Sequence, residues 1–498
     1  MMIYNLAQYK KLFEKKGLVC ETNFQEQDEQ VPVCYISYDS QDIRDNTLFV
    51  CKGAHFSVDY LKDALQKGAI GYISERPYPL DEEVPFIIVS DMRKAMAYLA
   101  DFFYDQVWKG LCLIGITGTK GKSTTAYFMK HILDEYLNAQ KKPVSGILSG
   151  IDNYDGVIKE ESHLTTPEAM MLHKHFDNCV KSDMEFLTME VSSQALKYHR
   201  TLGITYDIGC YLNIGEDHIS DVEHADFEDY FQSKLKLFTQ CNMACINICA
   251  EKSQEVVALA KERCKKVVTF GLDEGADVYG YDIVKSGKNI TFKVRTDSFD
   301  REFKLSIAGL FNVENALAAI AMCYCLNISM EYVYAGLKKA KVSGRMEVYS
   351  SETKDLQVIV DYAHNKMSFE TLFKSTQREY PGKKITIVFG CPGKKALGRR
   401  KELGELAGKY ANMVYITEED AGEESVLKIS KEIAKYVEQQ NCPCLIIEDR
   451  EEAIKDAILT ADENTIVLIT GKGRETRQKR GTNYIDCPSD VEYVKRYL

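Results

Sequence analysis

Gly115-Ile116-Thr117-Gly118-Thr119-Lys120-Gly121-Lys122-Ser123-Thr124 decides the fold. The run 111–116 leading into it is short and wholly apolar, as a central parallel strand buried on both faces requires. Behind it, Tyr127, Phe128, Ile132 and Leu133 repeat at helical spacing and predict a helix over 123–137, with Ser123 in its first turn. Between strand and helix, successive backbone N–H groups and the helix N-terminus can cradle a phosphate. Lys122 would reach its outer oxygens, and the Ser123 hydroxyl could complete a Mg2+ shell. The strict GxxxxGK[ST] pattern wants glycine at 116, where this chain has Ile116, with Gly115 one place early. The match is therefore to a variant loop. A chance glycine–lysine turn is the competing reading, and the flanking strand and helix weigh against it.

Outward from this loop, strands and helices alternate, the pattern of an α/β protein. Before it, strands are predicted at 33–38, 47–50, 69–74 and 84–89, with helices at 59–67 and 92–104. After it come strands at 186–191, 208–214, 243–248 and 267–270, an antiparallel insertion at 290–305 and a helix at 315–325. A third series has strands at 357–362, 384–390, 413–417, 444–448 and 465–470. Polar residues gather just after these strands, where open α/β sheets bind ligands. Three domains are expected, over 1–109, 110–340 and 341–498; a chain of 498 residues is too long for one.

Composition narrows the class. Hydrophobic residues are 45% and charged residues 28%, as in ordinary globular proteins. Lys plus Arg is 63 against 74 Asp plus Glu, a net charge of −11, which argues against a protein that coats nucleic acid. No apolar run approaches the length of about 20 residues that spans a bilayer, and residues 1–15 have no long apolar core. A cytoplasmic location is expected, with neither nucleic acid nor membrane as partner, and a monomeric state. The 16 scattered cysteines suit free thiols in a reducing compartment better than a disulfide scaffold.

Other polar residues end predicted strands. Glu190 could hold a metal, or belong to a helix start capped by Ser192 or Ser193. His218 stands in a polar turn, suited to surface or supporting duty. Lys234 falls in a predicted helix over 227–238, where a solvated lysine is the plain reading. Asp361 could accept ribose hydroxyls, with His364 close behind. Lys394-Lys395 and Arg399-Arg400-Lys401 form a basic patch, either a solvated helix start or an anion site. Glu475 could meet an amine or a nucleotide. The acidic run 418–424 is either surface or suited to a cationic substrate.

Together these pieces resemble the Mur ligase family, the ATP-dependent amide ligases of peptidoglycan precursor synthesis. The resemblance covers essentially the whole chain. It rests on the order of the phosphate loop, Thr165-Thr166-Pro167, Met189-Glu190-Val191-Ser192-Ser193, Asp217-His218, 230–238 with Lys234, Gly309 to Asn315, Gly344-Arg345-Met346-Glu347, Asp361 to His364 and Gly471-Lys472-Gly473. Within the family the chain looks most like the members that add a diamino acid to UDP-N-acetylmuramoyl-L-alanyl-D-glutamate. Ser37-Tyr38-Asp39-Ser40 and Thr47-Leu48-Phe49 match their uridine-nucleotide domain.

The resemblance implies an N-terminal UDP-binding domain, a central P-loop ATPase domain and a C-terminal Rossmann-like domain that binds the incoming amino acid. It implies ATP and Mg2+, an acyl phosphate on the D-glutamate carboxylate, and attack by the amine. By motif match, Lys122 stabilises the transferring charge. Ser123 and Glu190 hold one Mg2+, and His218 and a carbamylated Lys234 serve another. Gly118, Thr119, Lys120, Gly121, Thr124, Asn312, Asn315, Arg345 and Asp361 belong to the nucleotide set. Ser40, Thr165, Thr166, Ser192 and Arg200 match the UDP-muramoyl side, and Arg400 and Glu475 match positions around the incoming amino acid. Members that take meso-diaminopimelate carry Asp-Asn-Pro-Arg where this chain has Glu419-Asp420-Ala421-Gly422. Without that arginine a buried distal carboxylate would lack a partner, a costly state. Glu419, Asp420, Glu423 or Glu424 could instead meet the ammonium of lysine. Ornithine, or another amine or acceptor, stands as the alternative within the class, because Gln41, Gln194 and Arg474 also depart from the family pattern. A non-catalytic nucleotide-binding scaffold is the alternative outside it, and the intact Lys122, Ser123, Glu190, His218 and Lys234 set argues against that.

Overall fold

The computed structural model describes residues 2–53, 56–216, 219, 223–286, 289–394 and 397–498. Each of three units is built on its own sheet. The first has five strands in the order Val19–Thr22, Phe86–Val89, Ala69–Ser74, Thr47–Val50 and Tyr35–Ser37. The last four run parallel, and Val19–Thr22 is antiparallel to its neighbour. An unanticipated helix, Leu6–Lys15, buries Leu6, Tyr9 and Phe13 against this sheet's core and starts at a capping box between Asn5 and Gln8.

The central sheet has eleven strands. Its parallel middle runs Gly146–Leu148, Phe186–Glu190, Cys112–Thr117, Tyr206–Tyr211, Cys241–Asn247, Lys266–Gly271. Cys112–Thr117 thus lies between strands that come later in the chain on either side. That is a topological switch point, and the crevice beyond its carboxyl end is where such sheets bind ligands. The expected antiparallel insertion is larger than 290–305: Val278–Ser286 pairs with Asn289–Arg295, which pairs with Asp300–Leu305. A second antiparallel extension, Asp152–Tyr154 with Lys159–Glu161, was not foreseen. Its three-residue strands are too short to show a period.

The third sheet has six strands. Glu347–Ser350 is an antiparallel edge on Leu356–Asp361, followed by Thr465–Thr470, Lys384–Phe389, Met413–Ile416 and Cys444–Ile446, all parallel. A hairpin, Arg477–Arg480 with Asn483–Asp486, follows the last long strand. It is too polar to read as strand from sequence. One continuous apolar cluster joins the face of the central sheet covered by the helices Lys122–Ala139 and Asn312–Cys325 to the third unit, where Phe369 and Phe373 of the helix Lys366–Glu379 belong to it.

Candidate active site

The strand Cys112–Thr117 delivers the phosphate loop to the helix Lys122–Ala139. Ile116, which breaks the strict motif, still pairs with Glu190 and Cys210 in the sheet and is fully buried. The loop therefore begins only at Gly118. A Cβ on Gly118 would stand 2.9 Å from the Leu212 Cβ, and one on Gly121, at φ +84°, 2.2 Å from Asn315 Oδ1. The Gly121 turn and the approach of the neighbouring helix both exclude a side chain there. Asn213 clamps the loop: its Oδ1 accepts from the Thr119 and Lys120 amides at 3.1 and 2.9 Å, and its Nδ2 donates to the Lys120 carbonyl. The sequence reading assigned Asn213 no role. Its signal was its place just after Tyr206–Tyr211, the strand beside Cys112–Thr117. Lys122 Nζ donates to the Gly118 carbonyl at 2.9 Å.

Beside the loop, Glu190 ends its strand buried, with Oε1 accepting from the Gly150 amide at 2.7 Å. Ser192 does cap a helix, Ser193–Lys197. Thr166 Oγ1 donates to the Glu190 carbonyl and accepts from the Ser192 amide. Arg200 donates to the Thr166 carbonyl and pairs with Glu168, which also faces Lys52 of the first unit. Lys234 corrects the solvated reading. It is 1% exposed, donates to the Gly118 carbonyl at 3.0 Å and lies 4.4 Å over the Tyr230 ring. Its helix ends at Leu235 and tightens to a 3₁₀ turn over Lys236–Thr239, close to the expected span. His218 and Asp217 lie outside the described residues.

A cavity of about 530 Å³ opens over the loop. Ser123, Glu190 and Thr165 line one side; Asn312, Asn315, Arg345 and Asp361 line others. Asn315 Nδ2 donates to Asn312 Oδ1 and Asn312 Nδ2 to the Ala308 carbonyl, fixing both amides. Asp361 accepts from the Met346 and Ala363 amides, each at 2.9 Å. Burial pushes its carboxyl up, against the pull of Arg345, which stacks 4.4 Å over the Tyr362 ring. Ser40 does not line this cavity. It is buried in the first unit, where its carbonyl accepts from Lys67.

The loops of the third unit are dense with ion pairs. Arg400 corrects the solvated reading of the basic patch: it is 3% exposed, with its Nη atoms held by Glu424 and Glu432. Lys394 of the same patch pairs with Glu423, and Lys395 lies outside the described residues. Glu418 pairs with Arg480, and Asp420 with Lys472, which also holds Glu475. The acidic run is therefore not bare surface. Glu419 differs from its neighbours. It is buried, no ion pair or hydrogen bond reaches its carboxyl among the described residues, and burial pushes it up to about 8. A Cβ on Gly471 would stand 2.2 Å from Glu419 Oε2, which explains the glycine.

Comparison with known proteins fits this geometry. Residues 116–323 match the Mur ligase middle domain, and residues 344–473 the Mur ligase glutamate ligase domain. The chain is 37% identical over 480 residues to a UDP-N-acetylmuramyl-tripeptide synthetase of Lactobacillus delbrueckii subsp. bulgaricus, covering 91% of this chain and 90% of that protein. The chain belongs to the Mur ligase family. It is also 37% identical over 465 residues to a UDP-N-acetylmuramoyl-L-alanyl-D-glutamate--L-lysine ligase of Streptococcus agalactiae, covering 93% and 92%. Among solved structures, a UDP-N-acetylmuramoyl-L-alanyl-D-glutamate--2,6-diaminopimelate ligase aligns with TM-score 0.65 at 24% identity over 95% and 96% of the two chains. MurF from Acinetobacter baumannii aligns with TM-score 0.66 at 19% identity over 97% and 96%. These two share the fold. This Mur ligase is an ATP-dependent acid–amino-acid ligase of peptidoglycan synthesis, acting on a UDP-N-acetylmuramoyl peptide. No helix among the described residues is long and apolar enough to cross a membrane.

A buried arginine organises the third-unit loops of this Mur ligase, and no motif marks it. Arg450 forks onto both oxygens of Asp490, each at 2.7 Å, and donates to the Glu418 and Thr470 carbonyls. Asp490 in turn accepts from the Gly473 amide. One guanidinium thereby ties the ends of two strands to the loop that carries Lys472 and Glu475. The donor set at the cavity also suits Mg2+, which prefers oxygen ligands: the Ser123 hydroxyl and the Glu190 carboxylate both line it.

Proposed function

We propose that this Mur ligase adds L-lysine to UDP-N-acetylmuramoyl-L-alanyl-D-glutamate, with ATP split to ADP and phosphate. Glu419 carries the choice of amino acid. A distal ammonium needs an anionic partner that the protein's own cations do not already hold, and Glu419 is the acid of 418–424 that meets this condition. A meso-diaminopimelate side chain would bring a carboxylate to the same buried carboxyl, with no arginine in 418–424 to pair it. The Streptococcus agalactiae relative named as an L-lysine ligase supports the same choice.

The residues divide as follows. Lys122 and the amides of Gly118 to Thr124 hold the β- and γ-phosphates, while Asn312, Asn315, Arg345 and Asp361 hold the rest of the nucleotide. Ser123 and Glu190 would hold Mg2+, which when bound would neutralise charge on the phosphates. The D-glutamate carboxylate attacks the γ-phosphorus as the bond to ADP breaks, and Lys122 stabilises the charge in transit. The lysine amine then attacks the acyl carbon, the tetrahedral intermediate sheds phosphate, and the amide forms. Lys234 is 1% exposed, and a charged ammonium withdrawn that far from water carries a desolvation cost. Carbamylation, in which the neutral Lys234 amine adds CO2 and loses a proton, would replace the cation with anionic oxygens of the kind Mg2+ prefers; the motif match assigns His218 to the same metal. Ser40, Thr165, Thr166, Ser192 and Arg200 serve the UDP-muramoyl end, and Arg400 and Glu475 frame the incoming amino acid. The domains accordingly take the UDP-nucleotide (1–109), ATP (110–340) and the amino acid (341–498).

Phosphate release with Mg2+, ATP and the UDP-dipeptide tests this, run with L-lysine, L-ornithine, meso-diaminopimelate and no amine, with mass spectrometry of each product. Product with L-lysine alone is expected. Product with meso-diaminopimelate at equal rate would refute the role of Glu419, and product with L-ornithine alone would reassign the substrate.

A further inference from the structure

Glu379 ends the helix Lys366–Glu379 of the third unit, yet its carboxylate is turned into the central one. The side chain is fully buried. Oε1 accepts from the Leu310 amide at 2.8 Å and from Ser375 Oγ at 2.6 Å, and Oε2 accepts from the Gly309 amide at 3.2 Å. Lys285, on the antiparallel arm of the central sheet, completes an ion pair at 3.1 Å and lies over the Tyr380 ring. One carboxylate therefore joins three elements: a third-unit helix, the arm and the turn 308–311. A buried carboxylate so fully hydrogen-bonded is expensive to uncover, because each freed donor and the charge itself lose their partners.

The turn it holds leads into the nucleotide cavity. Gly309 sits at φ +91°, and the chain enters the helix Asn312–Cys325 directly after it. Asn312 reaches back to the Ala308 carbonyl, Asn315 bonds Asn312, and Asn315 Oδ1 lies where a Gly121 Cβ would be. At the other end of the Glu379 helix, Met367, Ser368 and Thr371 line the same cavity. Glu379 thus fixes two walls of the cavity against each other without itself lining it.

We propose that Glu379 is a positioning residue for the adenine nucleotide: it docks the third unit onto the turn 308–311 and so sets Asn312 and Asn315 over the phosphate loop. This rests on the reading of that cavity as the ATP site. Full-length Glu379→Gln, which keeps the shape but presents an N–H to a backbone N–H, is compared with the parent. The probe is a fluorescent ADP analogue with Mg2+. Its Kd and the KM for ATP are expected to rise about tenfold, while kcat at saturating ATP and the KM for the amino acid change less than about twofold. A general loss of packing would not split the parameters this way. Unchanged nucleotide affinity in a folded variant overturns the proposal. Should Glu379→Gln not fold, hydrogen exchange on the parent decides. By reciprocity the analogue must slow exchange at the Gly309 and Leu310 amides; exchange there indifferent to nucleotide overturns it. A parent chain that does not bind the analogue would instead overturn the reading of the cavity, and this inference with it.

Discussion

The phosphate loop and the acidic loop 418–424 occupy equivalent places, each just beyond a parallel strand, but they are built on opposite principles. The first works through its backbone. Gly118 and Gly121 clear the way, Asn213 clamps the amides, and an open cavity of about 530 Å³ stands in front. The second works through side chains, and four of its five acids are already spent on Arg480, Lys472, Lys394 and Arg400. Backbone recognition depends on conformation, which glycines and a helix start announce in the sequence. Recognition by charge depends on what remains after the protein's own counter-ions are subtracted, and that requires the fold.

The largest effect should come from the first loop. Lys122→Ala is expected to lower kcat by about 10²–10³-fold, the range for losing one preorganised charge donor in a transition state, with the circular dichroism spectrum unchanged. The matched change in the second loop, Lys394→Ala, breaks an exposed pair with Glu423 and should leave turnover within about twofold. Equal rates for both variants would erase the contrast between the loops.

This contrast also tracks what was legible beforehand. The strand–loop–helix around Lys122, the parallel strands and the order of motifs could be read because period and glycine placement are local properties. The strand 69–74 was expected and is found at Ala69–Ser74. For Lys234 and Arg400 a solvated reading stood beside the functional one, because a cation on a helix has no sequence mark for the side it faces; both are buried. Arg450 and Asp490 stood 40 residues apart without a motif. Glu379 could not be singled out, since its partners at 285 and 309–310 are brought to it only when two sheets dock.

A smaller effect, confined to the second loop, is expected at Glu419. Glu419→Gln should reduce kcat/KM for L-lysine by about 10–150-fold, the equivalent of a lost hydrogen bond to a charged group of about 1.5–3 kcal/mol, with the KM for ATP unaffected. The titration gives a second handle. The carboxyl is raised from 4.5 to about 8 in the folded chain. Its protonated form therefore contributes stability that is full below the unfolded value and is lost as pH rises through about 8. The melting temperature of Glu419→Gln relative to the parent should accordingly climb between pH 5 and pH 9. If the lysine ammonium pairs with Glu419 as proposed, binding ionises the carboxyl, and calorimetry at pH 7 in buffers of different ionisation enthalpy should detect about one proton released. Proton-neutral binding would place the ammonium elsewhere.

The smallest effect is expected where the two loops' supporting frames meet. Arg474 forks onto Glu347 with 45% of its side chain exposed, and Glu347 also accepts from the Gly344 amide and Tyr349 hydroxyl. Arg474→Ala should therefore cost about 1 kcal/mol or less, since an exposed partner is screened by water and Glu347 keeps two donors. Burial pushes the Glu347 carboxyl up, but Arg474, Gly344 and Tyr349 together hold it below its ordinary value. A depressed acid contributes stability above its unfolded pKa and loses it as pH falls through the folded one. The difference in melting temperature between parent and Arg474→Ala should thus be full at neutral pH and shrink on acidification below about 4.5. If the variant instead lost more than about tenfold in kcat/KM for L-lysine at an unchanged melting temperature, Arg474 would be touching substrate rather than steadying the loop of Lys472 and Glu475.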